Sequence, residues 1–156
     1  IRSDIIDASL NFFGINEITK IYKKSIVLNK YINKEIGINI VSSYKRASNI
    51  LSHELNNKEL EISNSIDPVL FKSEYEKNLY KKIHELRKYF TSINRDENYE
   101  LTLENLADSK KVVFEFFDNV KVNDEDKTIQ KNRLELLHLF CKSFDNYILF
   151  SSIESL

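Results

Sequence analysis

From Thr128 to Ile148 the apolar residues fall at Ile129, Leu134, Leu137, Cys141, Phe144 and Ile148, close to a 3.6-residue period, and Leu136 and Phe140 widen the stripe. A stripe this long and this wide belongs to a core helix that other elements must cover. What precedes it fixes where it starts. An apolar segment ending in Phe116-Phe117 stops at Asp118-Asn119, two residues that favour caps and turns over helix interiors. The chain then crosses Val120-x-Val122 and meets Asn123-Asp124-Glu125-Asp126. Any of these can cap the next helix, and the three acids sit where a helix N-terminus favours negative charge. The stretch reads as helix, anchored loop, long core helix.

The rest of the chain follows the same period. Ser3 or Asp4 can cap a helix carrying Ile5, Ile6, Ser9, Leu10 and Phe13, with Gly14 placed to end it. A second helix opens at Ile15 or Asn16 and shows one face at Ile18, Ile21, Tyr22, Ser25, Leu28 and Ile32, until Gly37 breaks the pattern. A third takes Ile40, Tyr44, Ala47 and Leu51 inward. Residues 56–72, closing at Asp67-Pro68, read as a surface loop with a short turn. Ser73-x-x-Glu76 has the spacing of a capping box and opens a helix with Tyr75, Leu79, Ile83, Leu86, Phe90 and Ile93 along one seam. The residues 95–98 end it, and shorter helices hold Leu101, Leu103, Leu106 and Ala107, then Val112, Val113, Phe116 and Phe117. Two glycines and one proline in 156 residues are too few for the tight turns of a sandwich or barrel. The expectation is an all-α fold, a helical bundle of six or seven helices with longer members near 16–35, 39–54, 74–93 and 127–147.

Length allows one domain with a buried core, residues 1–156. The start at Ile1-Arg2-Ser3-Asp4, without an initiator Met, reads as a fragment of a longer chain. A single cysteine forbids an internal disulfide and fits a reducing compartment. With no signal peptide and no apolar run of 18 residues, the expected location is cytoplasmic, away from membranes.

Catalytic chemistry is sparse. His53, His84 and His138 lack companions at metal-ligand spacing, Cys141 lies on the apolar stripe, and there is no glycine-rich phosphate loop or nucleophile elbow. No catalytic residue and no metal ligand is assigned. Charge is more informative. Net charge is −1, yet between Lys20 and Arg46 the bases Lys20, Lys23, Lys24, Lys30, Lys34, Lys45 and Arg46 face Glu35 alone. A polyanion can be met by that face, and a solvated lysine face is its plain counterpart. On the third helix Tyr44, Ala47 and Leu51 turn inward, which leaves Lys45, Ser48, Asn49 and Ser52 toward solvent. Cations beside amides and hydroxyls suit phosphates and unpaired bases. Arg133 sits among Ile129, Leu136, Leu137 and Phe140, so a buried guanidinium needs a carboxylate, for which Asp118, Asp126 and Asp145 are the candidates.

Two segments carry a resemblance. Phe116 through Asp126 followed by Asn132-Arg133-Leu134-x-Leu136-Leu137, and Tyr44-Lys45-Arg46-Ala47-Ser48-Asn49-Ile50-Leu51 upstream, resemble the C-terminal part of bacterial glycyl-tRNA synthetase beta subunits; Asp4-Ile5-Ile6-Asp7-Ala8 is a weaker third. More loosely, the pattern is similar to the helical anticodon-binding domain of arginyl-tRNA synthetases. The resemblance implies a DALR-type helical anticodon-binding domain whose ligand is the anticodon arm of glycine tRNA. It also implies that the parent enzyme uses ATP and Mg²⁺, with ATP and glycine bound by the alpha subunit, a partner reached through the parent chain, and with no cofactor in this domain. On that reading Lys45, Arg46 and Asn49 face RNA with Lys20 and Lys24 adding attraction, and Arg133, Asp118 and Asp126 are structural. This chain has more Lys, Asn and Ile where the family has Arg and Ala. An arginyl-type domain, and a protein-interaction module without an RNA role, stay open as alternatives.

Overall fold

α7 (Lys127–Phe144) is the axis of the fold. Twelve of its 18 residues are buried, more than one face can supply, so neighbours surround it. The computed structural model describes residues 1–13, 17–56, 61–92 and 98–153. Among these the other helices are α1 (Ser3–Phe13), α2 (Ile18–Tyr31), α3 (Glu35–Asn56), α4 (Glu74–Ser92), α5 (Tyr99–Asp108) and α6 (Lys110–Asn119), with 3-10 turns at Pro68–Leu70 and Phe150–Ser152. No strand occurs among the described residues, and the all-α expectation holds.

α7 packs on α3 and α4, and α6 packs on the same two helices. The four therefore close a ring in the order α3, α7, α4, α6. α3 runs antiparallel to α7, since Glu54 near its end meets Gln130 near the start of α7 at 3.0 Å. α4 runs parallel to α7, with Glu76 in the first turn of α4 against Arg133 in the second turn of α7. Leu79, Ile83 and Leu86 of α4, Val113 and Phe116 of α6, and Leu134, Leu137, Phe140 and Phe144 of α7 fill the middle. α5 leans on α3 and α2, and α1 packs on α2 and on the turn at Phe150–Ser152. Tyr44, Phe144, Tyr147 and Phe150 close that end of the core, with ring centroids about 6 Å apart.

The loop before α7 follows its sequence pattern. α6 ends at Asn119, Val120 and Val122 are buried, and the Asp126 carboxylate accepts the Thr128 and Ile129 N–H groups at 2.9 and 3.4 Å. The capping box at α4 also forms: Glu76 accepts from the Ser73 N–H and hydroxyl, and Ser73 accepts from the Glu76 N–H.

Two expectations are corrected. Gly37 does not break the chain between helices; it lies inside the first turn of α3 and is buried. A Cβ there would overlap the Tyr31 carbonyl oxygen and the Ile32 backbone, so glycine lets α3 fold back tightly on the end of α2. The inner face of α2 is Ile21, Lys24, Ser25 and Leu28, continued by Ile32, while Ile18 and Tyr22 are each 62% exposed. Periodicity locates the stripe only to within one turn, and Ser9 in α1 decides its centre by meeting Ser25 at 2.8 Å. Ile6 and Leu10 of α1 are exposed for the same reason. The described part of the expected surface loop, 61–72, is such a loop with its short turn at Pro68–Leu70, and it is tied to α7. Buried Glu135 accepts from the Ser63 N–H and hydroxyl and the Asn64 N–H, and Asn132 exchanges two hydrogen bonds with the Asp67 backbone at 2.8 and 3.0 Å. The expected helix signals at Gly14, Ile15, Asn16, Ile93 and 95–97 lie outside the described residues.

Candidate nucleic-acid interface

The outer side of α3 faces solvent between its contacts with α6 and α7. Asn49 and Ser52 are exposed, and Lys45 and Ser48 are half-buried. None of these four has a hydrogen-bond or ion-pair partner among the described residues. Arg46 lies at the α6 edge of this side. Its guanidinium sits over the rings of Phe114 and Phe117, at 4.9 and 4.6 Å, and reaches Asp118 at 3.7 Å with the side chain 42% exposed. One face of the guanidinium is spent on tying α3 to α6; its edge and outer side remain in water. Further along the seam Lys110 donates to Asn39 at 2.9 Å and stands 5.4 Å from the Phe114 ring centre. A cleft of about 510 Å³ opens there, with Ile36, Asn39, Lys110, Lys111 and Phe114 in its walls beside the acids Glu35, Glu104 and Asp108.

The lysines of α2 divide. Lys20 is exposed and paired with Glu17 at 2.9 Å. Lys30 pairs with Glu100 at 2.8 Å, which holds the ammonium above its ordinary pKa and the carboxylate below it. Lys24 is the correction. It is only 3% exposed, donates to the Tyr147 carbonyl at 3.2 Å, and lies 4.9 and 5.6 Å from the Tyr147 and Tyr99 ring centres. A cation packed against aromatic faces inside the α2–α5 junction is a clamp, not an RNA contact. Its place at the centre of the α2 stripe was visible in the spacing, but the partners lie more than 70 residues away.

Arg133 is 6% exposed. Its Nε donates to Glu76 Oε1 at 2.9 Å, and one terminal nitrogen donates to the Lys121 carbonyl at 2.7 Å and to Asp124 at 2.8 Å. None of the three expected partners serves. Asp118 has gone to Arg46 because α6 turns it outward, Asp126 is occupied in capping α7, and Asp145 lies beyond the far end of that helix. The carboxylate that sequence reading missed, Glu76, was already marked by its capping box, and one oxygen caps α4 while the other takes Arg133. Asp124 is held below the usual carboxylate range by the Asp126 backbone N–H and then by Arg133. Asp145 is different: burial pushes its pKa up to about 6, and its Oδ1 is buried with no hydrogen-bond partner among the described residues.

Among the described residues no nucleophile stands beside a base. Burial pushes the Cys141 thiol up to about 12 and lowers His138 below the ordinary histidine value. No group of three or more His, Cys, Asp or Glu side chains among the described residues is placed to hold a metal ion. The chemistry on offer is cations, amides and aromatic faces along helix seams, which is binding chemistry.

Comparison with known proteins agrees. The profile of the DALR anticodon binding domain matches residues 40–149, from the middle of the first half of α3 to just past α7. The glycine–tRNA ligase beta subunit of Rickettsia typhi is 34% identical over 123 residues, 79% of this chain and 18% of that protein. Those of Rickettsia prowazekii and Rickettsia felis are 34% and 35% identical over 118 residues, 76% of this chain and 17% of each relative. The chain thus spans less than a fifth of the length of these relatives. With the matched span covering more than two thirds of it and the helical architecture that goes with it, this chain belongs to the DALR anticodon-binding domain family.

Proposed function

We propose that this chain is the anticodon-arm-binding domain of a glycine–tRNA ligase beta subunit, and that its ligand is glycine tRNA. The observation that carries the reading is the family match over residues 40–149, which covers α4, α6 and α7 and all but the first turn of α3. On this reading the ligation chemistry, with its ATP, Mg²⁺ and glycine, and the contact with an alpha subunit belong to the parent enzyme outside these residues. The RNA contact is assigned to the outer side of α3 and its seam with α6: Lys45 and Asn49 from α3, Arg46 at the edge, and Lys20 for general attraction.

Energetics supports Arg46 in that role. An exposed ion pair such as Arg46–Asp118 contributes about 0–1 kcal/mol. RNA can displace it at small cost, while the stacking on Phe114 and Phe117 keeps the guanidinium oriented. Its free side then offers a flat cation for an unpaired base, the kind of contact that proteins use in single-stranded loops. Binding of the 156-residue chain to glycine tRNA in a gel shift, competed by the isolated anticodon stem–loop, tests the reading. Competition by an acceptor minihelix of equal length with no effect from the stem–loop overturns it.

The relatives favour the glycine-specific over the arginyl-type reading, since each carries that name. Protein contact is favoured by one observation, the exposed Ile6, Leu10, Ile18, Tyr22 and Ile26 on the paired helices α1 and α2. That surface lies outside the family match, so the two readings concern different parts of the chain.

A further inference from the structure

We propose a second RNA site, in the groove between α4 and α7, that takes the sugar–phosphate backbone of a single strand with Arg87 and Lys142. The inference rests on the RNA-binding reading above and adds to it, because ring order places this groove across the bundle from the α3–α6 seam.

Charge is the first argument. Two adjoining clefts of about 460 and 250 Å³ share Asn64, Arg87 and Leu139, and Lys142 lines the larger. Among the described residues no carboxylate lines either, in contrast to the cleft at the α3–α6 seam, which has three. Neither Arg87 nor Lys142 has an ion-pair partner among the described residues, although the charge of Lys142 reaches His138 and Asp145. Two cations without an ion-pair partner, on a groove whose described lining holds no carboxylate, attract phosphate, and Arg87 adds the planar fork that suits phosphate oxygens.

Preorganisation is the second. The outer wall of the groove is the 63–67 stretch, and it is fixed from below by buried Glu135 and Asn132. Asn64 there has φ 56°, in the left-handed region, with its N–H held by Glu135 at 2.9 Å. A buried carboxylate is thus used to hold a strained turn at the lip of the groove. Ile62 and Ile66 of the same stretch pack on the core, so the wall of the groove is built into the fold. The remaining lining suits a nucleotide: the Phe90 ring for a base, and the Asn64 and Asn146 amides for its edges. Asn146 donates back to the Lys142 and Ser143 carbonyls, which fixes its orientation and leaves its oxygen as an acceptor.

The test compares the unaltered 156-residue chain with Arg87→Gln/Lys142→Gln and with Asn64→Asp, which keeps a residue tolerant of positive φ but puts a carboxylate at the lip. Arg87, Asn64 and Lys142 are exposed, so unchanged circular dichroism and melting temperature are expected. Affinity for glycine tRNA and for an unstructured 15-nucleotide RNA is measured from 50 to 300 mM salt. We expect both variants to bind each RNA at least fivefold more weakly. For the double variant the salt slope on the unstructured strand should become shallower by about 1.4, at about 0.7 per phosphate contact on a single strand. Full affinity and an unchanged slope in folded variants overturn the groove while leaving the anticodon-arm reading standing. No binding of tRNA by the unaltered chain overturns both, and loss at the groove with no effect from Arg46→Gln supports the groove and removes RNA from the α3–α6 seam.

Discussion

A single guanidinium joins three parts of the fold: Arg133 links α7 to the capped start of α4 through Glu76 and to the 121–124 loop through Lys121 and Asp124. Removing it strands a Glu76 carboxylate that is 0% exposed. Arg133→Ala should therefore destabilise by about 3–5 kcal/mol in denaturant unfolding, whereas Arg133→Met combined with Glu76→Leu should cost much less because no charge is left unpaired. Asp145 sits on the other side of the ledger of charges. Its pKa rises from 3.8 to about 6, chiefly by burial, so the folded chain holds that proton more tightly than the unfolded one. The stability this contributes is complete below about pH 3.8 and is lost as pH rises through 6. Asp145→Asn should then stabilise relative to wild type above pH 6, by about 1 kcal/mol after allowance for partial exposure, and the gain should vanish near pH 4. Melting curves of the pair at pH 4, 5, 6 and 7.5 check the sign. That Arg133 would be buried was legible from its apolar neighbours. Its partner was not, because Glu76 is 57 residues away and its capping box marks it as a helix cap without saying which cation its second oxygen meets.

Helix ends were the most readable elements, since capping is local chemistry. Asp126 before α7 and Ser73–Glu76 at α4 act as their side chains dictate, and Asn98, read only as part of the end of the preceding helix, caps α5. Asp126→Ala should cost about 1 kcal/mol through loss of the α7 cap. Gly37 was misread for the opposite reason: glycine is a poor helix former, and only the backbone of Tyr31 and Ile32 against it explains why α3 includes it. Gly37→Ala gains up to about 1 kcal/mol of helix propensity but forces the α2–α3 corner apart. Overpacking of that kind costs typically about 1–3 kcal/mol, so net destabilisation with a lower urea midpoint is expected. A stabilised variant would mean that the corner opens freely. The inner face of α2 shifted for a related reason. Isoleucine and tyrosine at 18 and 22 fit the helical period, yet a lysine at 24 with two tyrosines to cover it is buried in their place.

At the scale of the molecule, the all-α class followed from two glycines, one proline and the 3.6-residue period, but the ring order α3–α7–α4–α6 depends on contacts between residues far apart in the chain. The same holds for surfaces. The α3 face with Lys45, Arg46 and Asn49 is local and could be read from one helix; the α4–α7 groove joins Asn64, Arg87 and Lys142 and could not. Catalysis is expected to be absent from the chain alone: purified protein should show no glycine-dependent ATP–pyrophosphate exchange, and exchange above background would contradict the assignment of the chemistry to the rest of the parent. The most direct test of the central claim is the equilibrium affinity of this chain for a glycine anticodon stem–loop against one in which only the anticodon bases are changed. Direct base readout contributes about 1–3 kcal/mol per contact, so at least tenfold tighter binding of the glycine sequence is predicted, with Arg46→Gln narrowing the gap. Equal affinity for the two stem–loops at physiological salt would contradict it.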